Sequence, residues 1–254
     1  MTQNSTVLKW VNIVAFLLTV LVNGLAGSTT LLGGKNTAEI SDANPTLITP
    51  AGYVFAIWGI IYVLLGIFVI VHALPREKGK DYHGKISWLF VLSSGFNIIW
   101  LFLWQFESLA FSVILMFLLL ASLLAIYLRL GIGKSEVGLG EKLTVHVPFS
   151  TYLGWITIAS IANVSVTLVS VGWDGLGISP ETWATLIVLI ALVIAVLVVV
   201  TRKDIAYGLV VIWAFVGIAV GQSENPNIVT LTQASAIIVF ITLVGSILIS
   251  RLRR

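Results

Sequence analysis

Residues Thr182–Thr201 read TWATLIVLIALVIAVLVVVT, twenty positions without a charged side chain. As a helix rising about 1.5 Å per residue the run covers about 30 Å, the thickness of a bilayer's hydrocarbon core. Apolar side chains point in every direction around it, so it has no wet face to turn outward. Seven further runs have the same character: Lys9–Gly27, Tyr53–Leu74, Ile86–Gln105, Ser108–Leu130, Thr144–Val171, Ile205–Gly221 and Ile228–Ser250. The connectors between them hold Gly, Pro, Asn and the charges, as exposed turns do. The expected fold class is an all-α integral membrane protein with eight transmembrane helices.

Composition agrees. Of 254 residues, 58% are hydrophobic and only 10% charged, and the mean hydropathy is +1.06. Twenty-five charges cannot solvate the exterior of a soluble domain of this size, which excludes a soluble enzyme, a disordered chain and a nucleic-acid-binding module. The chain has no cysteine, so disulfides, thiol catalysis and thiolate-held metals are excluded too.

Charge placement tests the span count. With both termini on one side, that side takes Lys9, Arg76, Lys78, Lys80, Lys85, Arg129, Lys134, Lys142, Arg202, Lys203, Arg251, Arg253 and Arg254, thirteen of the fourteen basic residues. Only Lys35 falls opposite. Basic residues of short loops stay in the cytoplasm, so both termini are expected there, and a prokaryotic plasma (inner) membrane suits the asymmetry. Leu25-Ala26-Gly27-Ser28 has the small residues of a signal cleavage site. The apolar stretch before it is long for a signal, however, and the first run is read as a helix of the bundle.

No run carries Lys, Arg, Asp or Glu near its centre, which argues against a proton pump or an ion-coupled carrier. His72, His83 and His146 sit at run ends without metal-ligand spacing, and Glu107 is read as a solvated turn carboxylate. Of the nine tryptophans, Trp10, Trp88, Trp173 and Trp183 fall at membrane boundaries, as interfacial belts require, and Trp213 is read as packing. The other four recur with partners at helical spacing. Trp58, Tyr62 and Gly66 share one face of the second span. Asn97, Trp100 and Trp104 share a face of the third, and Tyr152, Trp155, Ala159 and Asn163 a face of the fifth. Trp58 falls about 8 Å into its span, and the three stripes lie at one level beneath the loop from Ser28 to Thr49. Such a convergence is either a pocket for a flat, largely apolar ligand or plain helix packing with interhelical amide bonds.

The stripes resemble those of the TspO/MBR family, the tryptophan-rich sensory proteins that include the mitochondrial translocator protein. The likeness covers roughly residues 8–171. It rests on Thr49-Pro50-Ala51-Gly52 followed by Trp58, Tyr62 and Gly66; on Asn97 and Trp100; and on Tyr152, Trp155, Ala159 and Asn163. It implies a five-helix bundle with a loop-covered cavity for porphyrins, and for sterol-like or drug-like molecules in some members. In some members the tryptophans matching Trp58 and Trp155 are implicated in porphyrin breakdown. The segment Asn44-Pro45-Thr46-Leu47-Ile48-Thr49-Pro50 departs from the family loop, lacking its tryptophan and second proline, and Phe149 and Ser150 separate Pro148 from Tyr152.

Two parts are therefore expected: residues 1–171 as the TspO-like five-helix bundle, and residues 172–254 as a three-helix extension of unknown role. The extension shows no repeat of the first half that would mark an inverted-repeat transporter; its Gly217 and Gly221 form a G-x-x-x-G that lets helices approach closely. The leading expectation is a non-enzymatic protein that binds a porphyrin or other hydrophobic molecule through Trp58, Tyr62, Asn97, Trp100, Tyr152, Trp155, Ala159 and Asn163. It requires no cofactor or metal, the tetrapyrrole or haem-type molecule being ligand. The bilayer is its other partner, nucleic acid is excluded and a homodimer is allowed. The alternatives are photo-oxidative porphyrin breakdown, a permease for hydrophobic solutes, and a structural membrane component.

Overall fold

The computed structural model describes residues 3–74, 77 and 80–252; Arg76, Lys78, Arg253 and Arg254 of the charge pattern lie outside them. The described residues hold no strand. Eight long helices carry the fold: α1 (Gln3–Ser28), α2 (Ile57–Ala73), α3 (Leu89–Gln105), α4 (Leu109–Leu130), α5 (Val147–Ser170), α6 (Pro180–Arg202), α7 (Ile205–Gly221) and α8 (Pro226–Leu252). Each corresponds to one apolar run. Six have the length and apolarity to cross a membrane, counting the turns Gly52–Ala56 before α2 and Leu139–His146 before α5, whereas α3 and α7 are shorter.

Where the bounds differ from expectation, a backbone feature explains it. The third run begins not at Ile86 but at Leu89, because Ser87 takes φ 45°, ψ −136° and ends the short helix Tyr82–Ile86. The fifth reaches back to Leu139 through a π-helical turn at Lys142–His146. Pro148, which has no N–H to donate back into that turn, stands where it passes into α5. The other ends are set by ordinary caps: Ser179 accepts from Thr182 N ahead of Pro180, and Asp204 accepts from Tyr207 N. Gly131, left-handed at φ 67°, closes α4.

The first five helices form a closed ring: α1 packs on α2 and α3, α3 on α4, α4 on α5, and α5 back on α2. The last three join it through α7, which lies against α5 and against the turn Gly52–Ala56. Gly154 makes that approach close, a Cβ there falling 3.3 Å from the Tyr207 backbone. α6 packs on α7 and α8 and hardly touches α5.

Two clusters of polar contacts mark the two ends of the bundle. At one end Lys35 pairs with Glu107 at 2.7 Å, so the turn carboxylate expected to be merely solvated has a partner. Gln105 there donates to the Ala26 carbonyl and to Thr37 Oγ1. At the other end Asp204, 6% exposed, accepts from Tyr127 OH at 2.8 Å and from Ser150 Oγ. His72, in the last turn of α2, and His83, in the short helix Tyr82–Ile86, bring their rings to 4.2 Å, and burial pushes the His83 imidazole below its usual pKa.

Candidate functional site

The three stripes meet inside the ring. Trp58 of α2 is the hub: its indole stacks on Tyr62 at 5.7 Å and on Trp100 at 6.0 Å, and meets Tyr152 (6.0 Å) and Trp155 (6.2 Å) edge to face. Trp104 continues the series at 5.9 Å from Trp100, and Phe55 sets its edge against Trp155. Offset and T-shaped pairs are the arrangements that ring quadrupoles favour. Trp58 and Tyr62 are half-buried, while Trp100, Trp104, Tyr152 and Trp155 are buried. Gly66, which ends the α2 stripe, faces Phe16 of α1 and so stands outside this cluster.

The amides behave differently from the rings. Asn97, 0% exposed, accepts from Asn23 Nδ2 at 2.6 Å and donates to Tyr152 OH at 3.0 Å. Asn163 accepts from the Trp100 indole at 2.8 Å and donates to Ser112 Oγ at 2.9 Å. Both therefore tie helices together: α1, α3 and α5 through Asn97, and α3, α4 and α5 through Asn163. The Trp104 indole donates to the Thr37 carbonyl. A buried polar group without a partner is costly, and this network leaves few of its donors free.

Two buried donors of the cluster lack a partner, the Tyr62 hydroxyl and the Trp155 indole N–H, and of these two residues only Trp155 lines the adjoining cavity. The Trp155 side chain borders this cavity of about 60 Å³, lined also by Trp58, Trp100, Trp104, Met116, Ala159 and Asn163. The cover is the first loop, through Thr37, Ser41, Thr46, Ile48, Thr49 and Pro50, and α6 and α7 contribute Ile187, Ala191, Phe215 and Ile218. Of the eight residues picked out in the sequence, five line this space (Trp58, Trp100, Trp155, Ala159 and Asn163). Tyr62, Asn97 and Tyr152 pack behind it.

What sequence reasoning missed is how the loop is held. The Gly217/Gly221 face of α7 admits no helix; it receives the segment leading into α2. A Cβ on Gly217 would fall 2.1 Å from Val54 Cγ2, and one on Gly221 2.6 Å from Ala51 N. Ala51 N donates to the Gly217 carbonyl at 3.0 Å, and Gln222 Nε2 donates to the carbonyls of Thr46 (3.1 Å) and Thr49 (2.9 Å). Trp213 donates to the Val54 carbonyl and meets Tyr53 edge to face at 5.3 Å, so its role extends beyond filling space. The paired glycines signal a close approach but cannot say to what.

A second space lies where α5 and α6 stand apart. It measures about 1070 Å³ and runs from Phe117 and Leu120 of α4 to the turn at Gln222–Asn225. Thr46, Ile48, Ile161 and Ile187 border both spaces, so the partition between them is one layer of side chains.

A family model described as TSPO-like protein matches residues 9–246. The match takes in α6 and α7 and most of α8 as well as the five-helix ring. The chain matches no curated protein and no solved structure.

Proposed function

This chain belongs to the TSPO-like protein family, and from that we propose that it binds a porphyrin, or a similar flat hydrophobic molecule, in the aromatic cavity inside the ring. The observation that carries the proposal is Trp155: its buried indole N–H has no acceptor, and the cavity that Trp155 borders is walled by aromatic and aliphatic side chains save Asn163 and the loop hydroxyls. A packing role alone leaves that donor uncompensated, at a cost of about 1–3 kcal/mol. An acceptor on a bound ring removes the cost.

Trp58, Trp100 and Trp104 offer faces for stacking, and Tyr62, Asn97 and Tyr152 fix the Trp58 and Trp100 rings from behind. At about 60 Å³ the cavity is well under the roughly 300 Å³ of ordinary ligand pockets, so binding requires it to widen. The thin partition at Ile48, Ile161 and Ile187 is the natural place, because only side chains need to move there. Association then follows an opening step, and the observed rate levels off as ligand concentration rises.

We further propose that all eight helices span the membrane, with both termini cytoplasmic in a prokaryotic inner membrane. At 17 residues each, α3 and α7 reach about 26 Å, within a turn of the core thickness, a mismatch that a bilayer accommodates at small cost. Such a protein serves sensing, sequestration or transport of its ligand.

The test is a titration of purified protein with protoporphyrin IX, followed by tryptophan quenching. Saturation at one ligand per chain, with Trp155→Phe about tenfold weaker (one hydrogen bond, about 1.4 kcal/mol), supports the reading. Linear quenching that is equal in both proteins refutes it.

A further inference from the structure

The space between α5 and α6 has a chemistry of its own. Its walls are apolar: Ile161, Val164, Leu168, Ile187 and Ile190 dominate, and the hydroxyls of Thr157, Ser160 and Ser165 donate back to their own helix at Leu153, Ile156 and Ile161. At about 1070 Å³ it matches the upper range of small-molecule sites. Its polar edge is confined to one end, where Trp173, Asp174, Trp183 and Glu224 border it.

Charge at that end is one-sided. The loops 29–51, 106–108, 171–179 and 222–225, with the first turn of α6, carry Glu39, Asp42, Glu107, Asp174, Glu181 and Glu224 against a single cation, Lys35. Lys35 is held by Glu107 at 2.7 Å, far from offering a counter-charge to Asp174 or Glu224. The Trp173 and Trp183 rings lie 5.1 Å apart at 55°. Carboxylates and indole faces at the mouth of a greasy slot are the features that attract a desolvated organic cation. An anion such as a carboxylate-bearing tetrapyrrole is disfavoured at the same mouth.

We propose that this crevice is a second binding site, set off from the aromatic cavity by the layer of Ile48, Ile161 and Ile187, for an amphiphilic ammonium cation: an alkyl body between α5 and α6, and the cationic head among Asp174, Glu224, Trp173 and Trp183. The occupant is a free monocation and not a phospholipid, because a headgroup phosphate would sit against the two carboxylates.

The experiment is equilibrium dialysis of radiolabelled octyltrimethylammonium against the protein in dodecyl maltoside, with protein-free micelles subtracted. The expected result is saturable uptake of one cation per chain, which octylphosphocholine and octyl glucoside displace at least tenfold less effectively than the unlabelled cation. The double variant D174N/E224Q binds at least tenfold more weakly; Asn at 174 keeps the side-chain cap on Leu176 N, so the loop holds. Trp173→Leu weakens binding about threefold. Linear uptake, equal displacement by the zwitterion or the neutral glucoside, or unchanged affinity in the double variant overturns the proposal. The dialysis is run without porphyrin, so its outcome and that of the protoporphyrin titration are read separately.

Discussion

Replacing Gly221 by Ala tests whether the C-terminal helices hold the loop over the cavity. The new methyl falls 2.6 Å from Ala51 N, 2.8 Å from the Pro50 carbonyl carbon and 2.8 Å from the Thr49 carbonyl oxygen. All three are backbone atoms, so no rotamer relieves the overlap, and the segment must retreat by about 0.6–0.8 Å to reach ordinary contact. Overpacking of this kind costs about 1–3 kcal/mol. The retreat also stretches the Gln222 bonds to Thr46 and Thr49 and the bond from Ala51 N to the Gly217 carbonyl; losing one or two adds about 1 kcal/mol each. Alanine's better helix propensity returns about 1 kcal/mol. The net loss is about 1–4 kcal/mol, centred on about 2.5, a fall in Tm of about 5–10 °C at that centre for a chain of this size. Gly245→Ala is the control, since a Cβ there meets nothing within 4 Å. Thermal unfolding in detergent, read by tryptophan emission, should separate the two. If Gly221→Ala melts with the wild type and with Gly245→Ala, α7 does not clamp the loop at Gly221.

Asn97→Leu should destabilise by about 2–4 kcal/mol, because the Asn23 amide and the Tyr152 hydroxyl both lose their buried partner; denaturation in mixed micelles measures it. Asp204→Ala should cost about 3 kcal/mol, leaving the Tyr127 and Ser150 hydroxyls and the Tyr207 N–H without their acceptor, and the same assay reads it. Lys35→Ala should change stability by less than about 0.5 kcal/mol, since both partners of its ion pair are nearly half exposed; the melting temperature should barely move.

The helices are legible in the sequence because a long uncharged apolar run must satisfy its backbone internally when it leaves water, and each of the eight runs is found as a helix, six of them long and apolar enough to cross a membrane. The meeting of Trp58, Trp100 and Trp155 is legible too, since i, i+3, i+4 spacing fixes a face and alternating spans fix a level. The fate of the amides is not. Spacing places Asn97 and Asn163 at the site but cannot reveal that Asn23, Tyr152, Trp100 and Ser112 already engage them, because those partners lie 51 to 74 residues away. For the same reason Gly217 and Gly221 announce a close neighbour without identifying the loop. Trp173 and Trp183 read as separate boundary residues, and only the gap between α5 and α6 gives their pairing a setting.

A ring bound in the aromatic cavity would give the Trp155 indole N–H the acceptor it lacks. Following the indole ¹⁵N–¹H resonances in micelles while protoporphyrin IX is added addresses that donor alone. The Trp155 signal should shift saturably to lower field, while that of Trp104, already donating to the Thr37 carbonyl, moves little. A Trp155 resonance that stays in place as the others broaden uniformly would contradict the claim.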